Sequence, residues 1–188
     1  MTKQPDSKKH DMVHDAITNE QLPIEVVDAD CRTLLVMPAS AVHRQELTHK
    51  IVLVMLYDTK GRVYLQKRAK NKKAYPDRWD LSATGHVQAG ESFMGAALRE
   101  LHEELGINVP TMKELGRLSA SKETGQAFTA LFSTGLSSAT PQPNHEEVSE
   151  GMFIDEADMA AMVTHFSEML TPAALWAYKS GHMFPDKR

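Results

Sequence analysis

The stretch from Gly85 to Ile107, GHVQAGESFMGAALRELHEELGI, restricts the fold and the chemistry of this chain more than any other. Residues 94–105 have the period of an amphipathic helix, in which each residue advances about 100° around the axis. One side of that helix carries aliphatic side chains that can face a core: Met94, Leu98, Leu101 and Leu105. Glycine commonly ends a helix, so we expect the helix to stop at Gly106.

Three glutamates, Glu100, Glu103 and Glu104, share another side of the predicted helix, because positions three and four apart are neighbours. Each unpaired pair of like charges costs about 0.2–0.5 kcal/mol. Glu103 and Glu104 also lie in the last turn, where the helix dipole disfavours anions. A hard divalent cation such as Mg²⁺ takes oxygen ligands and would relieve this repulsion. The alternative is an acidic face exposed to solvent, and the carboxylates alone do not exclude it.

The full spacing of the stretch decides between these two interpretations. Gly85 is followed after five residues by Glu91, and after seven more by the run from Arg99 to Ile107. This spacing resembles the Nudix box, G-x5-E-x7-R-E-U-x-E-E-x-G-U with U aliphatic, and every constrained position matches. The resemblance implies a pyrophosphohydrolase, which acts on phosphoric anhydride bonds and cuts a nucleoside diphosphate linked to another group X. It also implies Mg²⁺ or Mn²⁺ as cofactor and the α/β/α Nudix sandwich with a mixed sheet.

The resemblance also implies roles for individual residues. The implied metal ligands are the backbone carbonyl of Gly85 and the side chains of Glu100, Glu103 and Glu104. Glu91 and Arg99 would brace the loop and the helix of the box. Glu147 lies where Nudix enzymes often keep one more acidic residue facing the metals, with Glu146 or an exposed loop acid as the alternatives. The catalytic candidates are Glu103, Glu104 and Glu147.

Composition limits the partners and the compartment. The formal net charge of -4 argues against a nucleic-acid-binding surface. Cys31 is the only cysteine, so no intramolecular disulfide can form. No apolar run is long enough to span a membrane, and the N-terminus lacks the apolar region of a signal peptide. We therefore expect a cytoplasmic protein with a small-molecule diphosphate substrate, no nucleic acid and no membrane partner, while a homodimer is left open.

The chain reads as a single domain over residues 21–182, between a flexible polar tail, 1–20, and a short C-terminal tail, 183–188. Strand patterns occupy residues 24–28, 33–36, 51–56, 63–68, 80–84, 115–119, 127–133 and 152–154. The first two would form the N-terminal β extension. The apolar run 51–56 predicts a strand buried on both faces, and the alternation in 63–68 predicts a half-buried one. Further helices are expected at 40–46, with Ser40 as N-cap, at 156–163 and at 172–179.

A basic run, residues 67–73, separates two predicted core strands shortly before the box. It reads either as a solubilising loop or as a surface that receives phosphates. Its place in the chain favours the second interpretation, in which Arg68, Lys72 and Lys67 would hold a phosphate of the substrate. His86, directly after Gly85, would line the substrate cleft.

The segment from His43 to Glu104 is also similar to type 1 isopentenyl diphosphate isomerase, a relative of the Nudix fold. The stretch RAKNKKAYP from Arg68 matches its diphosphate-binding stretch, and His43, His49 and His86 lie close to its metal-binding histidines. Three convergent imidazoles would favour a metal such as zinc. The spacing of His43 and His49 departs slightly from that pattern, so three ordinary histidines are the alternative.

Two features argue against isomerase activity. The isomerase needs a cysteine directly before the glycine, where this chain has Thr84, and a hydroxyl lacks the acidity of a thiol. Its paired later glutamates are also missing near Gln126. The chain resembles a bacterial Nudix subgroup with an isomerase-like N-terminal extension. A hydrolase is thus expected, with an isomerase-like enzyme or a non-catalytic diphosphate sensor as alternatives.

Overall fold

The computed structural model describes residues 21–121 and 124–184. The tail expected at 1–20 lies outside these residues. The strands are β1 Pro23–Val27, β2 Thr33–Pro38, β3 His49–Tyr57, β4 Val63–Arg68, β5 Trp79–Asp80, β6 Ala83–His86, β7 Lys113–Leu118, β8 Ala127–Leu136 and β9 Val148–Ile154. The helices are α1 Ala39–Arg44, α2 Phe93–Leu105, α3 Glu156–His165 and α4 Pro172–Lys179, with a 3₁₀ turn at Ser167–Met169.

The N-terminal extension is an antiparallel hairpin of β1 and β2, followed directly by α1. Its small core consists of Ile24, Val26, Ala39 and Val42. The helix begins one residue before the predicted start, and no side chain caps it, so the prediction of Ser40 as N-cap was wrong. Pro38 precedes the first turn instead, and its extended backbone brings the chain from β2 into the helix.

The central strand β3 pairs in parallel with β8 and antiparallel with β6. Its side chains alternate between two cores, with Val52, Val54 and Leu56 on one face and Leu53 and Met55 on the other. The prediction of a strand buried on both faces is confirmed. The main sheet runs β5-β4-β3-β8-β7, with β6 beside β3 and β9 beside β4, and its mixed character is as expected.

Strand β4 has the predicted bounds but not the predicted half-burial, because its first four side chains are all buried. Strand β9 pairs with β4 along its whole length, and hydrophobic cores cover both faces of β4. The alternation of Tyr64 and Gln66 with Val63 and Leu65 therefore marks two buried faces, one of them holding a buried polar group.

The single strand predicted at 80–84 is divided in two. Strands β3 and β4 pair only at Tyr57 and Val63, then diverge, and β5 pairs with β4 whereas β6 pairs with β3. Ser82 bridges the gap, since its hydroxyl accepts from the Leu56 N–H at 2.8 Å and donates to the Tyr64 carbonyl at 2.6 Å. The local sequence does not reveal which neighbour each half would take.

The sheet is covered on one face by α2 and on the other by α3 and α4, which gives three layers. Side-chain caps fix the starts of α3 and α4, at Asp155 and Thr171 respectively. Met183, placed in the C-terminal tail by the sequence, is buried in the core beneath α4 and its carbonyl accepts from the Tyr57 hydroxyl at 2.7 Å. In the described part of the chain, none of the helices is long and apolar enough to cross a membrane.

Candidate active site

The box helix α2 is fixed at both ends by local interactions. The Ser92 hydroxyl accepts from the Gly95 N–H at 3.0 Å and caps the start. Gly106, with φ +67°, adopts the left-handed conformation that ends the helix, as predicted. Leu101 and Leu105 are fully buried against the sheet. This packing sets the rotation of the helix and turns Glu100 and Glu104 towards β6.

Glu104 is the most buried member of the acidic cluster, by which we mean Glu100, Glu103 and Glu104. It is only 5% exposed, and its Oε2 accepts from Gln66 Nε2 at 2.6 Å and from the Thr84 N–H at 3.2 Å. Burial, and next the neighbouring Glu100 carboxylate, raise the pKa of Glu104 to about 8. Both of these described donors are uncharged.

Glu100 lies directly against the backbone of Gly85. A Cβ at Gly85 would collide with the Glu100 carboxylate, so glycine is needed there for close approach. Arg99 Nη1 donates to Glu100 at 2.7 Å, yet burial still raises the pKa of Glu100 to about 7. Glu103 is half exposed and accepts from Arg99 at 3.0 Å.

Arg99 joins the turn of residues 88–91, which we call the box turn, to the helix. Its guanidinium donates two bonds of 2.9 Å to the two oxygens of Glu91 and a third of 2.9 Å to the His86 carbonyl. Glu91 also accepts from the Gln88 N–H at 3.0 Å. The bidentate geometry fixes both partners more strictly than a single bond would.

The residues of the acidic cluster fit a hard divalent cation. The donor set consists of carboxylate oxygens beside the backbone of Gly85, which can come this close only because glycine has no side chain. Oxygen donors suit Mg²⁺ rather than a metal that prefers sulfur or nitrogen. Burial raises the pKa of both Glu100 and Glu104, and a cation bound between them would favour their charged forms.

Arg68 and Lys72, which we call the basic lip, face the acidic cluster from β4 and the loop after it. Arg68 Nη1 lies 3.3 Å from Asp80 Oδ2 and 3.5 Å from the Thr84 hydroxyl. The Lys72 ammonium forms an ion pair with Glu147. Burial lowers the pKa of Lys72, while the nearby Glu104 opposes that shift.

The structure does not bring Lys67, a predicted phosphate-binding residue, together with the basic lip. Neighbouring side chains of a strand point to opposite faces, so Lys67 points away from Gln66 and Arg68. Its ammonium lies 3.1 Å from Glu150 and over the ring of Trp79.

Three histidines from separate elements converge beside the box, and we call them the imidazole cluster. His43 lies in α1, His49 begins β3 and His86 ends β6. One ring nitrogen of each lies within 4.8 Å of the others, and the Nε2 atoms of His43 and His86 are 2.8 Å apart. Burial lowers the pKa of all three, that of His86 to about 3, so the neutral rings keep lone pairs for a ligand. The ring of His86 therefore faces the other two histidines, whereas its backbone carbonyl accepts from Arg99.

Sequence reasoning missed two buried polar residues that support the site. Gln66 holds Glu104. The sequence feature that could have revealed this role is a polar residue on an otherwise apolar face of β4. Asp80, 4% exposed, holds Arg68 and accepts from the Thr171 hydroxyl at 2.7 Å. Thr171 comes from the cap of α4, far away in the chain, so no local pattern could have revealed this pairing.

Comparisons with known proteins agree with this geometry. Residues 47–173 match the model of the NUDIX domain. An uncharacterized Nudix hydrolase of Pseudomonas aeruginosa is 36% identical over 143 residues, covering 76% of this chain and 83% of the relative. An isopentenyl-diphosphate Delta-isomerase of Streptomyces griseus is 35% identical over 150 residues, 76% of each chain.

A crystal structure from Deinococcus radiodurans has a similar fold, with a TM-score of 0.71 at 22% identity, covering 84% of this chain and 98% of the other. The Nudix sandwich expected from the sequence is thereby confirmed. The relatives also include both kinds of enzyme that the sequence resembles. With its box, its fold and these relatives, the chain belongs to the Nudix family and is a hydrolase of phosphoric anhydride bonds.

Proposed function

We propose that this protein is a Mg²⁺-dependent pyrophosphohydrolase, with Mn²⁺ as the alternative cation, that cleaves the diphosphate of a small molecule of the nucleoside diphosphate-X type. The observation that carries the proposal is the placement of the acidic cluster opposite the basic lip. Arg68 contacts Thr84, whose N–H binds Glu104, so cationic and anionic groups meet within one site. A diphosphate with its cation needs both kinds of group.

The cation would be held by Glu100, Glu103, Glu104 and the carbonyl of Gly85. When bound there, Mg²⁺ supplies neutralisation of the diphosphate charge and activation of the attacking water. Arg68 and Lys72 would bind the second phosphate through charge-assisted hydrogen bonds. Gln66 and the Thr84 N–H orient Glu104 by occupying its Oε2.

A carboxylate must accept the proton of the attacking water. Glu103 and Glu147 are our candidates, because Glu103 is half exposed and Glu147 pairs with Lys72 at the lip. The water oxygen forms the new bond to phosphorus while the bridging P–O bond breaks, so that each product carries one of the two phosphates. Glu91 and Arg99 brace the turn and the helix during this step.

The experiment is a product analysis by ³¹P NMR in ¹⁸O-labelled water. The substrates are nucleotide sugars, dinucleotides, coenzyme A derivatives, nucleoside triphosphates and isopentenyl diphosphate, each with Mg²⁺ and with EDTA. We expect ¹⁸O-labelled phosphate products in the reactions with Mg²⁺ and none in those with EDTA. A ligand that binds and stays intact would instead indicate a sensor.

Isomerisation is the second candidate, favoured by the relatives named isomerases and by the imidazole cluster. Thr84 argues against it, because its hydroxyl contacts only the cationic Arg68 among the hydrogen-bond partners described. We expect isopentenyl diphosphate to yield no dimethylallyl diphosphate. Formation of that product above a blank without enzyme would replace the hydrolase proposal.

We also propose that the imidazole cluster binds a second, nitrogen-preferring cation such as Zn²⁺. Three neutral rings within ligand distance support it, and an ordinary hydrogen-bonded histidine pair is the alternative. Equilibrium dialysis against Zn²⁺ should load about one ion per chain in addition to Mg²⁺ sites. No uptake would leave the cluster as a hydrogen-bonded pair with a neighbour.

A further inference from the structure

Glu25, in the middle of β1, connects the N-terminal hairpin to the turn before the box helix. Its carboxylate accepts from the Gly90 N–H at 3.0 Å and from the Thr33 hydroxyl at 2.8 Å, and it pairs with the Lys50 ammonium. The side chains of Glu25 and Lys50 are only 13% and 12% exposed. The Lys50 bond, more than the others, lowers the pKa of Glu25.

The turn that Glu25 contacts is tied to β1 along its length. The Ala89 N–H donates to the Pro23 carbonyl at 2.9 Å, next to the Gly90 contact. Gly90 has φ +78°, a conformation that glycine adopts without strain. Within the turn, Gln88 and Glu91 exchange bonds of 3.0 Å through backbone and side chain.

The same turn positions the acidic cluster. Glu91 ends the turn and binds the Arg99 guanidinium through both oxygens. Arg99 in turn donates to Glu100 and Glu103. A displacement of the turn would move Glu91, then Arg99, and then the two carboxylates.

We infer that Glu25 is a positioning residue, through which the N-terminal hairpin holds the box turn and the acidic cluster in their cation-binding arrangement. The essential contact is the bond from the Gly90 N–H, because it is the one of these three that reaches the turn. Thr33 belongs to the hairpin itself, and Lys50 lies on β3 beside it. The inference rests on the proposed function, since it takes the acidic cluster to be the cation site. It gives the extension a role in the chemistry of the box.

The test separates the Gly90 contact from the partly buried ion pair of Glu25 and Lys50 by means of two double variants. In Glu25→Met/Lys50→Met, both charges and the acceptor for Gly90 are lost. In the matched control, Glu25→Gln/Lys50→Met, the charges are lost but an amide oxygen remains for Gly90. Replacing both partners of this partly buried pair leaves no charge unpaired, so both variants should fold.

The measurement is the Mg²⁺ concentration that gives half of the maximal thermal stabilisation, without substrate. We expect this concentration to rise about tenfold in the methionine variant, as for other residues that support metal ligands indirectly, and to stay within about threefold of wild type in the glutamine variant. Hydrogen exchange at the Gly90 amide, without metal, should be faster in the methionine variant only.

A third variant, Val26→Ala, tests whether lost stability alone weakens cation binding. Val26 packs in the core of the hairpin, so this change should lower the Tm but leave Mg²⁺ binding unchanged. Equal Mg²⁺ binding by the two double variants, or an equal loss in Val26→Ala, would overturn the inference.

Two further outcomes are distinguishable. Should the methionine variant not fold, exchange of the Gly90 amide in the wild-type protein decides: exchange as fast as in a free turn would overturn the inference. Should the wild-type protein show no Mg²⁺ response, the proposed function fails, and the exchange difference at Gly90 still decides whether Glu25 fixes the turn.

Discussion

The acidic cluster and the imidazole cluster meet at β6 but are assembled in different ways. The three glutamates come from the last two turns of one helix, whereas the histidines come from α1, β3 and β6. His43 and His86, whose Nε2 atoms are 2.8 Å apart, are separated by 43 positions in the chain. A cluster on one helix is set by spacing, while one drawn from three elements exists only after the fold has formed.

The two clusters also differ in the charge that burial suppresses. Burial raises the pKa of Glu104 to about 8, and it lowers the pKa of His86 to about 3. Both shifts favour the neutral form, but a neutral imidazole is ready to bind a metal, whereas a protonated carboxylate must first lose its proton. We therefore expect the two clusters to change the stability of the metal-free protein in opposite senses with pH, and to select different cations.

The largest effect should come from Glu104→Gln. The amide oxygen can still accept from Gln66 and Thr84, but its NH₂ group would face the cation and cannot bind it. We expect kcat/KM for hydrolysis of the best substrate of the panel, measured with Mg²⁺, to fall by more than about 100-fold.

Glu114→Gln is the control for that variant, because Glu114 is an exposed acid on β7 that pairs with Arg117. It should keep wild-type activity. Wild-type kcat/KM in Glu104→Gln, with Mg²⁺ as the only metal, would contradict the proposed mechanism and remove the functional contrast between the two clusters.

The same contrast explains which features of the fold and of the site could be predicted from the sequence. The helix, its end at Gly106 and the common side of its glutamates depend on local spacing, so they were predictable. The division of residues 80–84 into two strands was not, because it depends on how far β3 and β4 diverge. The same holds for the contact of Thr171 with Asp80, which joins elements 91 positions apart.

The second effect is an opposite pH dependence of stability in EDTA. The pKa of Glu104 is raised above its unfolded value, so the folded protein holds a proton that the unfolded chain has lost, and stability falls as pH rises from about 5 to 8. Histidines with lowered pKa values act in reverse, so they lower stability as pH falls below about 6.5.

Thermal melts of wild type and Glu104→Gln isolate the carboxylate, since the histidines are common to both. The variant should match wild type near pH 5 and be more stable by about 4 kcal/mol, or roughly 8–16 °C, at pH 8. Parallel curves would mean that Glu104 titrates normally, and the electrostatic comparison would fail.

Arg68→Lys should give the third effect, an increase in KM of about tenfold with little change in kcat. Lysine keeps a positive charge near the buried Asp80, but it cannot offer the planar pair of donors that suits a phosphate. Steady-state kinetics on the best substrate of the panel measures this. An unchanged KM would return the basic lip to a structural role, as the partner of Asp80.

The smallest effect on hydrolysis is expected for His43→Ala. His43 is the most exposed of the three histidines and its described ring contacts are with the other two, so Mg²⁺-dependent kcat/KM should stay within about threefold of wild type. The same variant should lose the Zn²⁺ uptake proposed for the imidazole cluster, because two imidazoles alone rarely complete a zinc site. The two measurements together separate the clusters. A loss of hydrolysis as large as that of Glu104→Gln would show that the histidines and the glutamates form one catalytic centre.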